Sequence, residues 1–292
     1  MHGFVGGWGV TDDGGAAVLN GTNVPDVGIA ISDARGALPN NFSSNPIALD
    51  GSSGATPILR YMRDTYHPAS AAVVWGAQAT ARARAQAFVR DLQALGMNVV
   101  VQREVAITET NYVSVAQEIE NAGAEFLITA LEITGISRLA QAFQQVGYLP
   151  RVPYYGAQTY GEKFLELAGS AANGAILGIT HPIIEEAGSN PQTATFVEWY
   201  RRVNPGAEID FFAFQGWVAA DMFADAIEAA GPSPTRDSVL GVLRTYTSFD
   251  ADGLVAPINP AGKVGSPCFM IVTVQNDQWQ RVHPQGGGFA CP

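Results

Sequence analysis

Residues 70–102 read SAAVVWGAQATARARAQAFVRDLQALGMNVVVQ, and their changing periodicity sets the architecture of the chain. The first six form a continuous apolar run of the length expected for a strand buried on both faces. The period then changes: Ala81, Ala85, Phe88, Val89 and Leu92 fall on one helical stripe. Gly96 follows as a helix stop, and NVVVQ at 98–102 starts a second strand. A strand, a covering helix and another strand make a βαβ crossover, which predicts a parallel sheet.

The unit repeats on both sides. Residues 56–65 have a helical stripe ending in Met62, just before the opening strand. Downstream, 113–121 reads as a helix closed by Gly123, 125–130 (EFLITA) as a strand, and Ile136, Leu139, Ala140 and Phe143 as a helix closed by Gly147. A strand end at 154–156, a short helix at 161–167 and a strand at 173–179 complete an α/β unit running from about 53 to 180. Beyond His181 the pattern turns helical. Phe196, Trp199, Tyr200 and Val203 make one predicted stripe, 215–230 a longer helix, and 238–245 a third, with Thr235 or Asp237 as cap. Three helices with no strand between them must return to a sheet built earlier. Residues 268–274 and 278–282, joined by Asn276 and Asp277, read as a hairpin.

Before the opening stretch the strands are few: a strand end at Val5-Gly6-Gly7 and a short run at 24–28. A doubly wound sheet needs about five strands. The shortage leads us to expect two further βα units upstream of Met1.

The 292 residues suit about two domains, and 47% hydrophobic with 15% charged residues is globular composition. Sixteen Lys and Arg against twenty-seven Asp and Glu give a net charge of −11, which argues against nucleic acid and anionic membrane surfaces as partners. No apolar run approaches the roughly 18 residues of a membrane helix. Cys268 and Cys291 belong to no CxxC pair and stand beside no His cluster, so zinc is not expected. They read as buried thiols or as a disulfide fastening the chain end, the latter requiring an oxidising compartment.

Enzymatic motifs are near misses. The stretch from Gly156 to Lys163 resembles a phosphate-binding loop, but Glu162 stands at the lysine position and would repel phosphate. Gly7-Trp8-Gly9 with Asp12 lacks the third glycine of a dinucleotide motif, and Gly51-Ser52-Ser53-Gly54 is no nucleophile elbow. His2, His67, His181 and His283 are scattered, and His67 and His181 precede prolines as turn markers. Asp12-Asp13 and Glu185-Glu186 read as solvated surface. No nucleophile, base and orienter assemble, so the chain reads as neither an enzyme nor a holder of a cofactor or metal.

Two strings carry a family resemblance. Residues 49–56 (LDGSSGAT) resemble the first hinge crossing of the branched-chain amino-acid family of periplasmic solute-binding proteins. Residues 211–217 (FFAFQGW), running into VAAD and a helix ending in Ala229-Ala230-Gly231, resemble that family's aromatic-then-alanine helix. The resemblance spans nearly the whole chain apart from the family's first two βα units. It implies a type I periplasmic-binding-protein fold, α/β, with two Rossmann-like lobes and parallel sheets joined by three crossings. The N-terminal lobe, incomplete, would comprise residues 1–50 and 183–255, and the C-terminal lobe 51–182 and 256–292. It further implies a Venus-flytrap that closes on a small solute and delivers it to the membrane subunits of an ABC transporter, outside the cytoplasm. The closing cysteines resemble a pair in actinobacterial-type members, which implies a Cys268–Cys291 disulfide.

Carried over one by one, the implied ligand-binding residues are Trp8, Gly9, Val10 and Thr11 after the first strand, Ser32 and Asp33 beside Ile31, and Asp50 at the crossing. The other lobe adds Gln78 and Thr80, Glu132, and Gln158 with Tyr160. In amino-acid binders the Gln158 position is a glutamate that pairs with the substrate ammonium, a charge that an amide lacks and Glu132 could supply. The family's tyrosine near Thr80 is also absent. The solute class therefore stays open between amino acids, carboxylates and other polar organic molecules. A ligand-sensing domain of a receptor or regulator has the same fold and is the alternative function; an α/β enzyme is the second alternative.

Overall fold

The computed structural model describes residues 3–9, 12–46, 48–49 and 52–292. Its elements run β1 (Phe4–Val5), α1 (Asp13–Leu19), β2 (Asp26–Val27), α2 (Asp33–Gly36), α3 (Thr56–Tyr66), β3 (Ser70–Gly76), α4 (Ala79–Ala94), β4 (Asn98–Val105), α5 (Val113–Asn121), β5 (Phe126–Ala130), α6 (Ile133–Val146), β6 (Val152–Tyr154), α7 (Glu162–Ala168) and β7 (Ile176–Ile179). Then follow α8 (Pro191–Val203), α9 (Phe211–Ala229), α10 (Arg236–Leu243), β8 (Met270–Gln275) and β9 (Gln278–His283).

The larger sheet has the order β4-β3-β5-β6-β7-β8-β9, parallel through β7 and antiparallel over the last two strands. Alternate side chains of its strands meet different layers, as the period of two requires. Ala71, Val73 and Ile128 pack with Ile58, Leu59 and Met62 of α3 and Phe88 and Leu92 of α4. Ala72, Val74 and Leu127 pack on the opposite face with Ile119 of α5, Leu139 and Phe143 of α6 and Phe164 of α7. Both faces are covered, so the strands can be apolar throughout. The helices end where the glycines predict: Gly147 takes φ +75° after α6, a conformation that costs a side chain but not glycine. The hairpin turn at Asn276 and Asp277 has φ of +52° and +60°, the two positive values of a type I′ turn.

β1 and β2 pair in parallel as a separate two-stranded sheet. Two of the three last helices return to this early sheet: Ala219, Met222 and Ala226 of α9 and Val239, Leu240 and Leu243 of α10 enclose Val27 and Phe42, whereas α8 buries Phe196 and Val197 in the cluster that includes the larger sheet. Two expectations need correction. The core side of α8 is Thr193, Phe196 and Val197, whereas Trp199 and Val203 are exposed, with Arg202 lying over the Trp199 ring. A tryptophan stacked on an arginine tolerates solvent because the guanidinium covers one face. Helix α9 begins four residues before Gln215, because Asp210 caps it by accepting the Ala213 N–H at 2.8 Å. Cys268 and Cys291 are joined as a disulfide.

Candidate functional site

The parallel strands β3, β5 and β6 end side by side, and that edge gathers three of the implied residues. Gln78 precedes α4 and Glu132 precedes α6; the Gln78 amide Nε2 donates to Glu132 Oε1 at 3.3 Å. Gln158 sits in the 3-10 turn Ala157–Thr159 after β6, and its Nε2 donates to the Leu131 carbonyl at 3.3 Å. Both glutamines fold back over glycine: a side chain at Gly76 would collide with Gln78 Oε1, and one at Gly156 would fall 2.8 Å from Gln158 Oε1. Glu132 itself is exposed, an anionic group at the lip of the edge. Thr80 lies in the first turn of α4, partly buried.

Tyr160 departs from its implied role. It is 1% exposed, its hydroxyl donates to Glu185 Oε2 at 3.1 Å and accepts the Ile184 N–H at 2.7 Å. Burial, reinforced by Glu185, pushes its hydroxyl well above the ordinary tyrosine range. It is a core residue that pins the segment after β7. Glu185 is exposed, as its reading as surface expects, and accepts the Tyr160 hydroxyl from the solvent side, whereas Glu186 is partly buried and pairs with Arg281, contrary to that reading.

The second group lies beyond β1. Trp8 stacks face to face on Phe212, the ring centroids 4.1 Å apart and the planes 8° from parallel. Gly9 is partly buried beside it, and Val10, Thr11 and Asp50 lie outside the described residues. Ser32 is buried and caps α2, accepting the Arg35 N–H, while Asp33 is exposed in the first turn. The Ile31 and Ser32 N–H groups point at Asp12, whose two oxygens accept them at 2.8 and 3.0 Å. Asp12 is thus buried, contrary to its reading as surface, because a carboxylate holding two amides is satisfied without water.

Below these loops sits Arg35, 4% exposed. It grips the fully buried Asp26 through two hydrogen bonds of 3.0 and 2.7 Å, and donates to the carbonyls of Ile29 and Gly7. Nothing local in the sequence marks Asp12, Asp26 and Arg35 as one cluster. The signal for Phe212 was present in the aromatic run at 211–217, whose length exceeds what one helical face can bury.

The two groups meet on adjacent segments. The Phe211 N–H donates to the Tyr160 carbonyl at 3.4 Å, so the start of α9, carrying Phe212, abuts the turn that carries Gln158. Behind this junction His181 is fully buried, stacked on Phe214 at 4.3 Å, with Nδ1 donating to the Pro182 carbonyl and Nε2 unpartnered. A cavity of about 490 Å³ lies elsewhere, beside Arg281, lined by Glu186, Asn190, Asp252, Gly287 and Gly288. That cavity is open to solvent and its arginine is already paired with Glu186, whereas the ends of parallel strands are where such sheets offer loops and polar groups. Among the described residues no three His, Cys, Asp or Glu side chains gather as a metal site, and no helix is long and apolar enough to cross a membrane.

The sequence matches the model of the family described as periplasmic binding protein over residues 1–278. The chain belongs to that family. Solved structures with the type I fold of periplasmic binding proteins superpose on most of it. A leucine-binding protein, LivK, from Thermotoga maritima is 18% identical with a TM-score of 0.76, covering 95% of this chain and 76% of that one. A substrate-binding protein of an ABC transporter from Aeropyrum pernix is 19% identical, with a TM-score of 0.79 and coverage of 96% and 74%. A branched-chain amino-acid ABC transporter protein from Thermus thermophilus with bound valine is 16% identical, with a TM-score of 0.75 and coverage of 95% and 75%. No curated protein matches the sequence.

Proposed function

We propose that this periplasmic binding protein captures a small polar organic solute outside the cytoplasm and delivers it to the membrane subunits of an ABC importer. The lobes are residues 1–50 with 183–255, and 51–182 with 256–292. The observation that carries this reading is the juxtaposition at the strand ends. Gln78, Glu132 and Gln158 line the carboxyl edge of the parallel sheet, and the stacked Trp8–Phe212 pair rides on the segment hydrogen-bonded to the Gln158 turn. Polar groups beside an aromatic wall suit a solute with one polar and one apolar end.

Glu132 offers a negative charge and the two glutamines offer amide oxygens and N–H groups. The favoured solutes therefore carry a cationic or hydrogen-bond-donating head, amino acids and amides among them. Two similar structures, a leucine-binding protein and a branched-chain amino-acid transporter protein with bound valine, support placing amino acids first in the search. Binding closes the lobes because only the closed state lets both contact the solute.

The experiment is a thermal-melt screen of amino acids, carboxylates, amides and polyols against the purified chain. A true solute at 100 times its Kd adds about 2.7 kcal/mol of stability, a readily measured rise in Tm. Glu132→Gln should abolish the rise for cationic solutes. A flat response across the whole panel would count decisively against capture.

A further inference from the structure

The described C-terminal residues do more than end the hairpin. The Arg281 side chain on β9 is only about one-tenth exposed. Its Nε donates to Glu186 Oε1 at 2.6 Å and its Nη2 to Glu186 Oε2, a two-pronged pair. The remaining terminal nitrogen, Nη1, donates to the carbonyls of Gly288 at 2.6 Å and Pro284 at 3.3 Å. The chain beyond β9 therefore supplies two acceptors that aim the guanidinium.

That tail is itself held at its far end. Ala290 exchanges two backbone hydrogen bonds with Phe269, at 2.8 and 2.9 Å, and Cys291 is bonded to Cys268. Glu186 in turn closes the 3-10 turn Ile184–Glu186, in the segment that leaves β7; a few residues earlier Thr180 accepts the Ala256 N–H at 2.7 Å. One continuous set of contacts thus runs from the disulfide through the tail carbonyls and Arg281 to Glu186.

We propose that residues 284–292 form a disulfide-fastened strap that holds Arg281 on Glu186, so that opening Cys268–Cys291 loosens the segment 184–189. The inference does not depend on the ligand reading; under the lobe assignment above, the loosened segment begins the return to the first lobe. Reduction by a dithiol passes two electrons and two protons to the pair, giving two cysteine thiols and the oxidised, disulfide form of the reagent. Cys268 is buried and Cys291 exposed, so attack starts at the Cys291 side.

Amide hydrogen exchange on the full chain tests this, since the Glu186, Ala187 and Ser189 N–H groups are hydrogen-bonded within the segment. Three samples are compared with the untreated protein: protein reduced with dithiothreitol, the Cys268→Ser/Cys291→Ser variant, and Arg281→Met with the disulfide intact. We expect exchange at 186–189 to quicken about tenfold in all three, with β5 and α4 unchanged. Quickening confined to 284–292 would show that the tail moves without its neighbours and overturn the strap. So would an Arg281→Met variant with wild-type protection at 186–189, or exchange quickened throughout the chain.

Discussion

Trp8 and Phe212, 204 positions apart in sequence, lie ring on ring at a centroid distance of 4.1 Å, yet Trp8 remains 45% exposed. The stack covers one indole face and leaves surface open to solvent. An aromatic that only filled core would be buried on both sides, as Phe214 is at 0%.

Phe212→Ala should therefore cost only about 0.5–1.5 kcal/mol of stability beyond lost area, the worth of an aromatic pair. Affinity for the captured solute should fall by about tenfold or more, since the wall loses its backing. Calorimetric titration beside a urea melt separates the two effects. Loss of stability with unchanged affinity would make the pair structural.

Arg35→Met should be far more damaging. Among the described residues it leaves Asp26, at 0% exposure, with one hydrogen-bond donor, Asn41 Nδ2 at 2.7 Å, and with the more distant charge of Lys263. Breaking a buried pair from one side costs about 3–5 kcal/mol because the remaining charge stays uncompensated. Arg35→Lys should recover part of the loss, having charge but not the two-pronged geometry. Urea unfolding at neutral pH gives the values; a cost below about 1 kcal/mol would mean that solvent reaches Asp26.

The contrast between the sheet and this cluster explains what sequence could reveal. The opening βαβ stretch was legible because each part declares itself locally: an apolar run, a stripe, a glycine at +81°. Gln78, Glu132 and Gln158 followed, since positions just past a parallel strand are sheet-edge positions whatever their partners. Asp12, Asp26 and Arg35 obey no such period, and only the fold brings them together. The α8 stripe failed for a related reason. Phe196, Trp199, Tyr200 and Val203 share a helical face, but periodicity does not say where along it the neighbouring elements stop. Which carboxylates are surface depends in the same way on distant cations, Arg35 for Asp12 and Arg281 for Glu186.

Two glycine substitutions should separate folding from binding. At Gly28 a side-chain carbon would sit 2.5 Å from the Gly7 carbonyl, a backbone atom that cannot swing aside. Gly28→Ala should cost about 1–3 kcal/mol in a thermal or urea melt. At Gly76 the obstacle is the end of the Gln78 side chain, which can rotate away. Gly76→Ala should change stability by less than about 0.5 kcal/mol while breaking the Gln78–Glu132 hydrogen bond and weakening solute binding. If both variants melt like wild type, the close approach at Gly28 is relaxed in solution.

His181 makes the fold sensitive to acid, and the sign follows from its surroundings. Burial depresses its imidazolium pKa from 6.5 to about 4, with the Pro182 carbonyl opposing the shift. The folded protein thus refuses a proton that the unfolded chain accepts. Above pH 6.5 neither state binds it and the histidine contributes nothing to the pH slope. Between 6.5 and about 4 the unfolded state binds more protons, so stability falls as pH falls, by about 3 kcal/mol over the window. Below 4 both states are protonated and the loss levels off. His181→Phe keeps a ring against Phe214 and removes the unpartnered Nε2, so its stability difference between pH 7 and pH 4.5 should be smaller than the wild type's by most of that amount. Chemical-denaturant melts of both proteins at the two pH values decide it: an equal acid loss in both would assign the sensitivity to carboxylates and not to His181.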